Sequence, residues 1–335
     1  TALAAITFST YLLTIFPEIN NDWLRKIIAC SLIVILAFIH SSNRKSSGGL
    51  QMIFTVMKVG VIILFCFGAI LFAKNIQPVS FSPNSNDIST IFSGSFAVSL
   101  IYVSYAYTGW NAATYLSSEI ERPQKYLPLI LISGTTIVTV LYILLNFVFL
   151  SVAPIEDMQG KIEIGFIAAQ SAFGGSVANF TGLVLSLLLI STVSAMTLAG
   201  PRVLQVIGED FKVLNILSRK RKDGIPSTAI YIQSLIAIIF IMSSSFESIL
   251  VFAGFTLALN SFVTVIAVFV LRSKQPNLPR PYKTFGYPFT PLIYLALTGW
   301  TLYFVIINRP IEVLFSLGII LSGLIFYYIS NRKNY

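Results

Sequence analysis

Ser104-Tyr105-Ala106-Tyr107-Thr108-Gly109-Trp110-Asn111 lies in the middle of an apolar run that covers residues 89–117. A run of that length can cross a bilayer as a helix, at about 20 residues per crossing. A smooth helix in hydrocarbon gains nothing from Thr-Gly followed by Trp-Asn at mid-depth. Such a patch can interrupt the helix, and non-helical backbone is tolerated at that depth only where it is buried in protein or lines a cavity. Two half-helices then meet near the midplane, with their free carbonyl and amide groups aimed at whatever binds there. The same residues also allow a continuous helix with a packing notch at Gly109. Pattern alone leaves both readings open.

The rest of the chain agrees on the setting. Of its 335 residues, 56% are hydrophobic and 10% charged, and the mean hydropathy is +0.82. A soluble domain carries about 25% charged residues, so the soluble classes are excluded. Ten apolar spans can be marked, at about 1–16, 24–42, 50–73, 89–117, 128–153, 177–206, 228–246, 248–271, 291–307 and 311–330. The expectation is an all-α integral membrane protein, with residues 1–335 forming a single transmembrane domain and the bilayer as its solvent. Pro128 and Pro291 sit where helices should begin, since a first helical position needs no backbone donor.

Charge placement narrows the class further. A net charge of +9 raises nucleic acid as a partner, but the basic residues are scattered through short loops rather than gathered in a stripe, so none is expected. Sixteen of the 22 Lys and Arg residues fall in one alternating set of loops and the C-terminus, and five in the opposite set. The positive-inside rule then places both ends of this chain in the cytoplasm. Cys30 and Cys66 lie inside apolar runs and read as small core residues. With His40 as the single histidine, no His/Cys metal cluster is expected. Glu156, Asp157 and Glu163 read as solvated charges on the outer face. No HExxH, P-loop or nucleophile–histidine pair is present, so neither an enzyme nor a cofactor is expected.

Two further features carry chemistry. Lys58 lies about eight residues inside the run 50–73, or about 12 Å along a helix, too deep in a core of about 30 Å to reach either interface easily. A buried ammonium there must face the bundle interior and find acceptors or give up its proton. The hydroxyls of Ser191, Thr192, Ser194 and Thr197 in the run 177–206 either line an ion or substrate path or bond their own helix one turn back.

At this point a resemblance becomes specific. Tyr105-Ala106-Tyr107-Thr108-Gly109-Trp110-Asn111, then Ser118-Glu119-Ile120-Glu121-Arg122-Pro123 and Leu127-Pro128, resembles the sixth helix and following loop of amino acid permeases. These belong to the amino acid–polyamine–organocation superfamily, and the likeness is in particular to the L-type amino acid transporters. Gln51-Met52-Ile53-Phe54-Thr55 with Lys58 is similar to that family's fifth helix. Leu271-Arg272, Gln275-Pro276, Arg280-Pro281 and Ser322-Gly323-Leu324 agree. The resemblance covers essentially the whole chain.

The resemblance implies a LeuT-like inverted-repeat transporter fold in which the ten spans are helices three to twelve of twelve. The chain, which begins at Thr1, then reads as an N-terminally truncated piece of a longer protein, without the family's first broken helix. It implies that carbonyls near Tyr105, Ala106 and Thr108 accept the substrate amine, that Gly109 permits the break, and that Tyr105 is an aromatic gate. Trp110 and Asn111 would line the side-chain pocket. Lys58 would stand where relatives hold sodium, with Ser191 and Thr192 near the old sodium-site hydroxyls, and Glu119 could latch a cytoplasmic gate with Arg202.

The implied function is secondary active transport by alternating access, in the form of sodium-independent exchange of neutral amino acids across a plasma or bacterial inner membrane. The alternatives are a proton-coupled symporter with a titrating Lys58, or an inactive truncated or structural membrane protein. Some L-type transporters bind a single-span glycoprotein through an outer disulfide, but no outer-loop cysteine occurs here, so no such covalent partner is expected.

Overall fold

The computed structural model describes residues 1–42, 48–73, 76–110, 113, 120–221, 224–280 and 282–332. Among them the regular structure is helical. The helices are α1 (Ala2–Leu13), α2 (Asp22–Ser42), α3 (Gly48–Phe72), α4 (Ser85–Ile91), α5 (Gly94–Ala106), α6 (Pro123–Val152), α7 (Ile164–Phe173), α8 (Gly175–Asp210), α9 (Ser227–Ser243), α10 (Phe246–Lys274), α11 (Phe289–Asn308) and α12 (Pro310–Arg332). Seven helices are long and apolar enough to cross a membrane, and α1, α5, α7 and α9 are shorter apolar helices. Each of the ten spans read from the sequence is occupied by a helix, whereas α7 was not anticipated. Met52, Val56, Leu64, Leu71 and Phe72 on α3 are exposed, a surface that only lipid or further protein can cover.

One helix start differs from expectation. The sequence placed a start at Pro128, but α6 begins at Pro123 and carries Pro128 inside it. Pro123 takes the first helical position, where its missing N–H costs nothing, and Pro128 follows in the second turn. Pro291 falls in the first turn of α11, as expected.

The chain forms two compact units. The first comprises Thr1–Ser80, Thr139–Phe246 and Phe326–Tyr335. Its main core joins Ala2, Ala5 and Phe8 of α1, Ala29, Leu32, Ile33 and Leu36 of α2, Val193 of α8, and Ala237 and Ile241 of α9. The spacing on α2 is that of one helical face. A second core sets Cys66 and Ala69 of α3 against Val148 and Val152 of α6 and Ala168 and Ala172 of α7. Both Cys30 and Cys66 are free thiols.

The face that α7 buries is made of Gly165, Ala168, Ala169 and Ala172. Small side chains allow the close approach on which helix association in a membrane relies. The Gly165 N–H, which has no donor role within its own first turn, instead donates to Tyr11 Oη at 3.1 Å in a fully buried contact.

The second unit comprises Phe81–Val138 and Glu247–Ile325. Val98 and Ile101 of α5 pack on Val251, Phe255 and Ala258 of α10, Leu302 and Val305 of α11, and Val313 of α12. Gly254 lets Ile101 approach, since a Cβ there would run into the Ile101 side chain. At one end Tyr102 Oη donates to Glu247 at 2.9 Å, and Arg309 forms an ion pair with the same carboxylate. Ser248 Oγ donates to Glu312 at 3.1 Å.

At the other end of α10, Arg280 folds back and donates to the carbonyls of Gln275, Pro276 and Leu278 at 2.7, 2.9 and 3.0 Å. A cation at a helix C-terminus satisfies carbonyls that have no intrahelical donor and complements the helix dipole. Arg272 lies 3.7 Å from the Tyr287 ring centroid, a cation–π contact.

Tyr11→Phe should leave the buried Gly165 N–H without an acceptor, at a cost of about 1–3 kcal/mol. A lowered unfolding temperature of the purified protein in detergent checks this, with the helical signal of the folded state unchanged.

Candidate functional site

α5 ends at Ala106, in the middle of its apolar run. Tyr107 caps it in a non-helical conformation, φ −91° and ψ 3°, and its N–H donates to the Val103 carbonyl at 3.3 Å. Thr108 then turns the chain back on itself. Its N–H donates to the Tyr105 carbonyl at 3.0 Å, and its hydroxyl donates to that same oxygen at 2.6 Å. Gly109 follows at φ +102°, in the region open to glycine and costly to residues with a Cβ. The helix break is therefore present, and the continuous helix with a notch is not.

The break differs in one respect from what the resemblance implied. The Tyr105 carbonyl already accepts two hydrogen bonds from Thr108, which matches its two lone pairs. A substrate amine reaches it only by displacing one of them. Asn111 and Glu119 lie outside the described residues. Arg202 is exposed on α8.

Beside the break is a cavity of about 390 Å³ within the second unit. Tyr107, Thr108 and Trp110 contribute from the break, Ala258 and Ser261 from α10, and Thr298 from α11. Among the described residues that line it, none is Asp, Glu, Lys or Arg. Its volume is within the range of small-molecule sites, about 300–1,000 Å³. It is apolar with a few hydroxyls, which suits an uncharged group. Ser261 and Thr298 went unnoticed in the sequence; the available signal was a hydroxyl at mid-span, the same that drew attention to α8.

In the first unit, Lys58 Nζ donates to Thr192 Oγ1 at 2.8 Å. This joins α3 to α8 through two residues singled out from the sequence. The four α8 hydroxyls have different destinations. Thr192 accepts from Lys58, whereas Thr197 donates to its own helix at the Val193 carbonyl, 2.8 Å away. Ser194 pairs with His40 Nε2 at 2.8 Å, a contact the sequence reading missed because His40 sits on α2, 154 positions away. Ser191 Oγ is buried without a hydrogen-bond partner. The set is thus mixed: part serves the helix and part meets side chains from α2 and α3. Among the described residues, no group of His, Cys, Asp and Glu could hold a metal ion.

A helix that stops within its apolar run beside a cavity lined, among the described residues, by uncharged side chains, and an ammonium held on a separate pair of helices, fit a membrane permease. The chain belongs to the amino acid permease family, whose sequence profile matches residues 1–328. It is 27% identical over 344 residues to the b(0,+)-type amino acid transporter 1 of Mus musculus, covering 98% of this chain and 67% of the relative. Against the protein of that name in Rattus norvegicus it is 31% identical over 294 residues, covering 83% of this chain and 57% of the relative. It is also 26% identical over 347 residues to the large neutral amino acids transporter small subunit 2 of Oryctolagus cuniculus, covering 98% and 62%. The chain thus spans roughly three fifths to two thirds of the length of these relatives.

A Cβ on Gly109 would meet nothing within 4 Å, so any cost of Gly109→Ala comes from the backbone. The expected cost is about 1–2 kcal/mol. The check is a lower unfolding temperature together with weaker substrate protection against unfolding. Gly134→Ala is the comparison, a helical glycine that also has open space around it and no positive φ, and it should be neutral or slightly stabilising.

Proposed function

We propose that this protein moves neutral amino acids across a cell membrane by alternating access, as a sodium-independent exchanger. The observation that carries the reading is the break after Ala106, with Gly109 at φ +102° beside a cavity that, among the described residues, no charged side chain lines. The C-terminal end of α5 bears partial negative charge and suits a substrate ammonium. The carbonyls of Ala106 and Thr108 are the acceptors, and Tyr105 closes the path. Trp110 lines the space for an uncharged side chain.

Lys58 supplies the second element of the reading. An ammonium held on Thr192 places positive charge between α3 and α8, in the place of a sodium ion. Both ends of this chain face the cytoplasm, because the basic residues crowd that set of loops. Within residues 1–335 the two cysteines, Cys30 and Cys66, lie inside α2 and α3, so neither is placed for a disulfide to a glycoprotein partner.

The test uses the full-length gene product in liposomes preloaded with a labelled neutral amino acid. Efflux should require unlabelled amino acid outside and be unchanged when choline replaces sodium. Lys58→Met should reduce it at least about tenfold, the loss that follows when a charge-assisted hydrogen bond is removed from the machinery. Efflux or uptake that follows an imposed proton gradient alone would overturn exchange and make Lys58 a proton carrier. A requirement for sodium would overturn the role of Lys58 as its replacement.

A further inference from the structure

The helix that presents Thr192 to Lys58 is not regular beyond that point. α8 carries Pro201 inside it, and Pro201 is completely buried. Proline has no N–H, so the carbonyl four residues earlier, on Thr197, loses its helical donor and the helix is weakened at this turn. Gly200 precedes the proline, and this dipeptide would leave the second half of α8 free to bend.

A side chain from α9 occupies the notch. Gln233 is the seventh residue of α9, and its Nε2 donates to the Met196 carbonyl of α8 at 3.1 Å. Its Oε1 lies so near Gly200 that a Cβ there would overlap it. Gln233 thus grips α8 on both sides of one turn, at the Met196 carbonyl and against the bare Gly200 backbone. A polar amide inside an apolar helix is costly in a membrane unless it has such a partner.

The grip is close to the cation site. Met196 is four residues after Thr192, so in the helical repeat its N–H bonds the Thr192 carbonyl. The connection then runs from Gln233 to the Met196 peptide, to Thr192, and from the Thr192 hydroxyl to Lys58. We propose that Gln233 is a positioning residue for Lys58: seated in the Gly200 notch, it holds the turn of α8 that presents the Thr192 hydroxyl to the ammonium. This inference rests on the reading of Lys58 as the fixed cation of the transport cycle.

The experiment compares the wild type, Thr192→Val, Gln233→Leu and the double variant in the liposome exchange assay. Each single variant should slow exchange by about three- to tenfold, the scale of one lost hydrogen bond. The double variant should be no slower than the slower single one, because both act through the same contact. Substrate KM should stay within about twofold while turnover falls, since the substrate meets neither residue. Gly200→Ala, which expels the amide, should match Gln233→Leu, and adding Gln233→Ala to it should cost nothing more.

Ser234→Ala removes a neighbouring buried hydroxyl that has no partner, and it should leave exchange unchanged. Losses that multiply in the double variant, or a shift confined to KM, would overturn the proposal. If the wild type exchanges no amino acid, the transport reading fails, and the unfolding temperatures of the same four proteins still decide the link. Non-additive shifts between Thr192→Val and Gln233→Leu support it, and additive shifts overturn it.

Discussion

Hydrocarbon offers no partner to a backbone N–H or C=O, so wherever this chain leaves the regular helix another group of its own must serve instead. Several of its polar residues are accounted for by that demand. Thr108 supplies two donors to the Tyr105 carbonyl where α5 stops. Ser93 Oγ accepts from the Phe96 N–H at 3.2 Å where α5 starts. Tyr11 takes the first-turn N–H of α7, and Arg280 covers the carbonyls after α10. Each is a local repair, and each also fixes the geometry of what lies beside it.

Charge is distributed with the same economy. Among the described residues, no ionised side chain lines the cavity at the break, whereas Lys58 is held on α3 against α8. Glu247, Arg309 and Glu312 lie at helix starts and ends instead, where partial solvation keeps ion pairs inexpensive. His40 is enclosed, but it too has a partner in Ser194.

The sequence made some of this plain and concealed the rest for physical reasons. All ten spans were legible because each is long and apolar, whereas Thr108-Gly109 stood out as polar and conformationally free residues in a lipid setting without deciding between a broken helix and a packing notch. Lys58 stood out for the same reason. α7 did not, because ten residues are too few to register as a span and its buried face is glycine and alanine. Pro128 misled because a proline reads as a helix start, and here Pro123 had already taken that role. The pairs Lys58–Thr192 and His40–Ser194 join residues far apart in the chain, and one-dimensional pattern carries no information about which polar group meets which. The occupied Tyr105 carbonyl was equally hidden, since it depends on the rotamer of one threonine.

The distance along the chain between Lys58 and its acceptor also bears on biogenesis. Thr192 comes 134 residues after Lys58, and at about 5–20 residues per second the ribosome delivers it on the order of ten seconds later. During that interval α3 enters the bilayer with an ammonium whose final hydrogen bond does not yet exist. A lysine at the centre of a span costs about 2.5–3.5 kcal/mol at insertion, and the many Ile, Leu, Val and Phe residues of the same helix offset it. α3 can therefore insert alone, but it is not satisfied until α8 arrives, so the late helix is recruited by a charge that was placed in the membrane before it.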